Sequence, residues 1–265
     1  MKPYIVDFIW LGYTIRVPSY GLMLAVAFSV GYFEALRRCL REKENPRHIE
    51  YLFLILIASA VIGSRLFHVI FEDPIYYFNH PIEIFSIWKG GYTFYGGLLI
   101  GILGIYVYTR VTRVNFLRFA DILAPSVLLG LFLGRIGCFL AGCCWGRPTD
   151  RAWGVVFSNP LSFASDHVRA VHPTQLYESG AALFLFALCW RVFQKKRFDG
   201  QIFFMGLIGY SLARFVIEFF RGDDYRGFVL EGTLSYAQLV SLTVLPFTVV
   251  ALFLFSRLQR EHEAY

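Results

Sequence analysis

Seven apolar stretches, each near the length a helix needs to cross a bilayer, constrain this chain more than any other feature. They run approximately Pro18–Leu36, Ile49–Phe71, Tyr92–Tyr108, Ile122–Ala141, Gln175–Phe193, Gln201–Phe220 and Tyr236–Phe255. A spanning helix takes about 20 mostly apolar residues. Only helices and closed barrels satisfy their own backbone in hydrocarbon. Composition agrees: 57% of the 265 residues are hydrophobic and 17% are charged, and the mean hydropathy is +0.53. A soluble domain cannot hide so much apolar surface. Disordered chains, disulfide-stapled secreted scaffolds and ordinary cytosolic enzymes are thereby excluded. The expected fold class is an all-α polytopic membrane protein with seven transmembrane helices, forming one domain over residues 1–265. The first stretch lacks a small-residue cleavage site and is expected to be mature structure rather than a leader. The third is the shortest and carries Gly96, Gly97, Gly101 and Gly104, small residues that let helices approach closely in lipid.

Basic residues set the expected direction. Loops on one side, around residues 37–47, 110–118, 191–197 and 257–260, hold 14 Lys and Arg, and the opposite side holds 8. The positive-inside rule puts the denser side in the cytoplasm. The N-terminus is then outside and the C-terminus cytoplasmic. The long connections 72–91 and 142–174 form a small outer cap, with a few short strands expected around Trp153–Phe157. The net charge of +6 thus has a topological explanation, and nucleic acid is not an expected partner.

Polar residues within the spans cluster in depth. Tyr20, Arg65, His68, Tyr95, Arg135, Glu178, Arg214, Glu218 and Gln238 all fall in the outer half of their spans. Ionisable groups there are costly and mark function. Tyr210, Arg214 and Glu218 are spaced i, i+4, i+8 and share one helix face. Single arginines at a helix end can snorkel to the interface, but three at similar depth point to a shared cavity and an anionic ligand. Guanidinium forks suit phosphate, and the phosphate available in a leaflet is a phospholipid head group.

Five cysteines are present. Cys39 and Cys189 read as spectators. Cys138, Cys143 and Cys144 lie in Gly-Cys-Phe-Leu-Ala-Gly-Cys-Cys-Trp-Gly, and three readings stand beside one another. Cys143 and Cys144 with His167 or His172 could bind a metal, though no standard zinc spacing is present. A disulfide with Cys138 suits an oxidising face. Packing of a tight turn is the plainest reading.

Several segments carry a resemblance in combination. They are Tyr20-Gly21-Leu22-Met23, Gly91-Tyr92-Thr93-Phe94-Tyr95-Gly96-Gly97-Leu98, Gly134-Arg135-Ile136-Gly137, Trp145-Gly146, His172-Pro173-Thr174-Gln175-Leu176-Tyr177-Glu178, and Tyr210 through Arg214 to Glu218 and Arg221. With these the chain resembles the prolipoprotein diacylglyceryl transferases of bacterial inner membranes over nearly its whole length. The resemblance implies a seven-span fold with the N-terminus in the periplasm. It implies transfer of a diacylglyceryl group from phosphatidylglycerol to the lipobox cysteine thiol of preprolipoproteins. The implied partners are phosphatidylglycerol, preprolipoprotein signal peptides and membrane lipids. No cofactor and no metal is implied. Arg135 would hold the head group, Arg214 would stabilise the leaving phosphate, and Glu218 would hold Arg214. Tyr20 and Tyr210 would line the site. Arg65, Gly96, Gly97 and Gly146 would contact the lipid donor.

This chain departs from the family pattern at two places. Tyr95 stands where the family commonly has histidine before Gly-Gly. Cys138, Ala141 and Cys143 stand where the family usually has two asparagines and a glutamate. Tyr95 is then either a base, its phenol lowered by nearby arginines, or a hydrogen-bonding group that positions the head group. Two other functions remain open on sequence grounds: a related phospholipid-dependent transferase with a different acceptor, and a lipid-binding or transport protein without chemistry. A transporter is expected to show midplane sites and internal repeats, and the sequence has neither.

Overall fold

The computed structural model describes residues 2–10, 13–86, 90–164, 169–222, 227–229 and 233–263. Its main elements are a hairpin of β1 (Tyr4–Trp10) and β2 (Tyr13–Pro18), then α1 (Ser19–Arg41), α2 (Arg47–Glu72), α3 (Phe94–Thr112), α4 (Phe116–Ala141), α5 (Thr174–Phe193), α6 (Gln201–Glu218), the two-residue strands β3 (Phe228–Val229) and β4 (Leu234–Ser235), and α7 (Tyr236–Glu263). Six of these helices are long and apolar enough to cross a membrane, and α3 supplies a shorter apolar stretch, Gly96–Thr112. The chain is a mostly helical, multi-pass membrane protein. By its internal contacts it forms two compact units, Met1–Ala35 with Ala120–Tyr265, and Leu36–Phe119.

In the larger unit the hairpin is an addition to the sequence expectation. Its register sets Asp7 opposite Arg16, and their side chains pair at 3.3 Å. The pair is exposed and contributes little. The chain enters α1 with the Ser19 amide on the Pro3 carbonyl at 2.8 Å. The strands expected around Trp153–Phe157 reduce to isolated bridges, with Val155 and Pro148 both facing Val171. Phe157, Ala164 and Val171 form a small buried core there, covered by Phe139, Trp145 and Val155.

Asp121, at the start of α4, fixes the register of α6. Its carboxylate is fully buried and accepts the backbone N–H groups of Gly200 at 2.8 Å and Phe203 at 2.9 Å. Those N–H groups are orphans of a helix start, where an anion is also favoured by the macrodipole. Lys196 adds its ammonium at 3.7 Å. From this clamp α4 and α6 each climb about 14 residues, roughly 20 Å at 1.5 Å per residue, to reach Arg135 and Arg214.

In the smaller unit α2 is not a regular helix. It contains π-helical turns at Ser59–Gly63 and His68–Glu72, each of which inserts an extra residue per turn. α3 packs against this distorted stretch. The contact is possible because of glycine. A Cβ on Gly96 would collide with the Gly63 carbonyl oxygen and the Phe67 side chain, and one on Gly97 would meet Ser64 Oγ at 2.6 Å.

Candidate active site

Four charged side chains meet where α4, α5 and α6 approach the 142–173 connection. Glu178 is the hub, only 2% exposed. Its Oε1 lies 2.8 Å from Arg135 Nη2 and accepts the Tyr210 hydroxyl at 2.8 Å. Its Oε2 lies 3.9 Å from Arg214 Nη1. Arg214 Nη1 in turn lies 2.7 Å from Glu218 Oε2. Two guanidiniums and two carboxylates therefore alternate, each charge compensated by a neighbour of opposite sign. Buried charges persist only when paired in this way. The i, i+4, i+8 face read from α6 is present, and all three of its residues reach this cluster. Glu178 carries no assigned role in the sequence reading, although it closes the His172–Glu178 motif; its function as bridge depends on the azimuth of α5, which one helix alone does not reveal.

The connection is held over the cluster by a backbone clasp. The Gly146 amide donates to the His172 carbonyl at 2.9 Å, the Arg147 amide to Phe220 at 2.8 Å, and the Gly222 amide to Trp145 at 3.2 Å. Side chains reinforce it: the Thr174 hydroxyl donates to the Cys144 carbonyl at 2.8 Å and Gln175 Nε2 to the Cys143 carbonyl at 2.7 Å. A Cβ on Gly146 would lie 2.6 Å from both the His172 and the Phe220 carbonyl oxygens. Gly146, expected to contact the lipid donor, is thus explained by the crossing of two backbones.

The other expected site residues are placed as follows. Tyr20 is 43% exposed, and α1 crosses α4 there: a Cβ on Gly137 would meet Tyr20 Cδ2 at 3.3 Å. The side chain of Tyr95 lies outside the described residues. Gly96 and Gly97, expected to let lipid approach, admit α2 instead. Arg65 belongs to the smaller unit, and its donors are taken by backbone. Nε donates to the Ile84 carbonyl at 3.1 Å, Nη2 to Glu83 at 2.6 Å, and Nη1 to Gly90 at 2.6 Å and Gly91 at 3.3 Å. The guanidinium also lies over the Tyr77 ring, 5.0 Å from its centroid. Arg65 therefore fastens a loop rather than standing open to a phosphate. In the same unit His68 Nδ1 lies 2.5 Å from Glu72 Oε2, and the Thr93 hydroxyl donates to Glu72 Oε1 at 2.5 Å.

The three motif cysteines converge. Their sulfurs all lie within 4.8 Å of one another, and all five cysteines are free thiols. The expected metal partner His172 turns its Nδ1 to the Tyr177 hydroxyl at 3.0 Å, and His167 lies outside the described residues. Hydrogen bonds from Cys138 and Cys143, followed by the positive field of Arg135 and Arg221, pull the Cys144 thiol well below the ordinary thiol range. Cys143 is pushed well above it by its hydrogen bonds to Cys138 and Cys144.

Residues 8–254 match the model of the family described as prolipoprotein diacylglyceryl transferase. Three curated proteins named phosphatidylglycerol–prolipoprotein diacylglyceryl transferase illustrate the similarity. That of Bordetella avium is 39% identical over 227 residues, 84% of each chain. That of Aromatoleum aromaticum is 40% identical over 228 residues, 83% of each chain. That of Nitrosomonas europaea is 36% identical over 246 residues, 90% of this chain and 86% of its own. With matches of that extent, running through the charged cluster and the clasp, the chain belongs to the prolipoprotein diacylglyceryl transferase family.

Proposed function

We propose that this protein transfers the diacylglyceryl group of phosphatidylglycerol to the lipobox cysteine thiol of preprolipoproteins, the first step of bacterial lipoprotein maturation. The observation that carries the reading, within a chain of this family, is the pair of partly buried arginines on α4 and α6 held by the buried carboxylates of Glu178 on α5 and Glu218 on α6. The thiol sulfur forms a C–S bond to the glyceryl carbon that carries the phosphate. The C–O bond to that phosphate breaks with its electron pair, and the thiol proton goes to a base. The phosphate begins as a monoanionic diester and leaves as glycerol phosphate with one more negative charge. Positive groups fixed in a low-dielectric site stabilise that developing charge more than they stabilise the substrate, which is what lowers a barrier.

In this reading Arg135 takes the head-group phosphate and Arg214 the charge that grows on it. Glu178 and Glu218 hold the two guanidiniums in place before substrate arrives. Tyr210 and Tyr20 line the same end of the helices, and Tyr95 positions the head group by a hydrogen bond. The signal peptide and the lipid both come from the bilayer. All seven helices span the bacterial inner membrane with the N-terminus in the periplasm, and residues 1–265 work as one transferase domain. The charge asymmetry of the loops supports that orientation.

A lipobox peptide incubated with the purified protein and phosphatidylglycerol tests the reading. Its mass should rise by one diacylglyceryl group, with release of glycerol phosphate. Release without peptide modification would mean a different acceptor, and neither would mean lipid binding alone. Restored lipoprotein modification in a strain depleted of its own transferase is the matching test in cells.

A further inference from the structure

The thiol cluster has a local cause. α4 ends at Ala141, and Gly142 follows with φ +79°. The amides of Gly142 and Cys143 both return to the Cys138 carbonyl, at 2.9 and 3.1 Å. This is the helix-ending pattern in which the second residue past the cap folds over the third residue before it. Only glycine fits the reversal, because a Cβ at 142 would overlap the Ser162 hydroxyl. The fold-back carries the Cys143 thiol onto Cys138, where its sulfur lies 3.7 Å from the Cys138 carbonyl oxygen. Cys144 then adopts φ +61°, a left-handed conformation that a non-glycine residue takes only when its surroundings hold it there. Two successive reversals turn three thiols from a seven-residue segment onto one point.

We propose that Cys138, Cys143 and Cys144 form a three-thiolate site for a single thiophilic metal cation, of the zinc or monovalent copper class, at the end of α4 one helical turn from Arg135. Bonds of about 2.3 Å from one metal to three sulfurs place those sulfurs about 4 Å apart, within the spacing found here. Thiolates select such cations over magnesium or calcium. Three thiolates around a dication leave one net negative charge, and Arg135 and Arg221 both act electrostatically on Cys144. Thr174 and Gln175 hold the turn through the Cys143 and Cys144 carbonyls, so the ligand positions are preset by α5. Gln175 is 1% exposed, and its Oε1 has no protein hydrogen-bond partner among the described residues; it is a buried acceptor on α5, and Nε2 of the same side chain bonds to that turn.

The test uses the full chain, purified in detergent with a reductant and stripped of metal. Cd2+ is titrated in while thiolate-to-metal charge-transfer absorption is followed, and Zn2+ is then added as competitor. One Cd2+ per chain is expected, displaced by Zn2+. Cys138→Ser, Cys143→Ser and Cys144→Ser should each weaken binding at least tenfold, and Cys39→Ser and Cys189→Ser should not. On the unaltered protein, bound Zn2+ should shield three of the five cysteines from alkylation, read by mass spectrometry of peptides, which needs no variant to fold. Absence of the absorption band, its persistence in the triple serine variant, equal alkylation with and without Zn2+, or a disulfide among the three in protein isolated without reductant would each overturn the proposal. Transfer activity plays no part in these readouts, so they stand apart from the proposed reaction.

Discussion

Arg135 and Arg65 look alike in the sequence, each a lone arginine near the end of an apolar span, yet the two units of the molecule treat them differently. In the larger unit Arg135 meets a carboxylate, Glu178, at 2.8 Å. In the smaller unit Arg65 meets no carboxylate oxygen among its described contacts; carbonyls of residues 83–91 surround it. A guanidinium held by a carboxylate can exchange part of that partnership for a phosphate, because anion replaces anion. A guanidinium spread over carbonyls would have to unfold a loop to do so. Burial of an arginine therefore says less about function than the chemical type of its partner. The larger unit holds the cluster of alternating guanidiniums and carboxylates, and the smaller unit shows helix packing by glycine and a loop fastened by a cation.

The largest effect that would sharpen this contrast is expected from Glu178→Ala. It strips Arg135, Arg214 and Tyr210 of a shared partner, and removing one member of a buried pair costs about 3–5 kcal/mol. Loss of transfer together with a lower unfolding temperature in detergent is expected; near-normal values in both would dismiss Glu178 as the hub. Next comes Arg135→Lys, which keeps the charge but loses the planar fork. Transfer should fall about 100-fold, in the range seen when one donor to a developing anion is removed. Arg65→Lys cannot span the same carbonyls and should lower stability with a smaller fall in the rate at saturating lipid. Equal rate losses in the two lysine variants would erase the distinction between the units.

Gly96→Ala addresses the smaller unit alone. The added methyl must displace the Gly63 carbonyl or Phe67, and overpacking of this kind costs about 1–3 kcal/mol. The expected result is a lower unfolding temperature with phosphatidylglycerol affinity kept. A stable variant that has lost lipid affinity would return Gly96 to the role expected from sequence. The smallest effect is expected from Tyr95→Phe, about the 0.5–1.5 kcal/mol of one hydrogen bond, with an unchanged pH profile. A dead Phe variant beside a fully active Tyr95→His would instead identify the phenol as the base.

The sequence made the helices legible and their azimuth illegible. Hydropathy placed each long helix, with ends that differ by up to eight residues where polar turns extend α1, α4 and α7 beyond the apolar run. The Arg214–Glu218 pair was readable from its four-residue spacing, a property of one helix. Glu178 and Asp121 were not assigned, since each acts between helices whose mutual rotation only packing decides. The glycines are ambiguous for a related reason: a missing Cβ marks a close approach without naming what approaches, and at Gly96, Gly97 and Gly146 the structure shows protein atoms at that distance. The β1–β2 hairpin went unread because its apolar strands adjoin α1 and resemble an interfacial lead-in.

Gly146 and its neighbours also govern when the site can exist during synthesis. Residues 145–147 bond both to His172 and to residues 220–222, so the connection after α4 stays half-tied until the end of α6 has left the ribosome. A nascent chain with five helices threaded already owns Arg135 and Glu178, but it lacks Arg214, Glu218 and the second half of the clasp. A chain ended before Arg214 would keep the Gly146–His172 bond but lack both the Arg214–Glu218 pair and the bonds to residues 220–222, so the charged cluster and the clasp close only once α6 is complete.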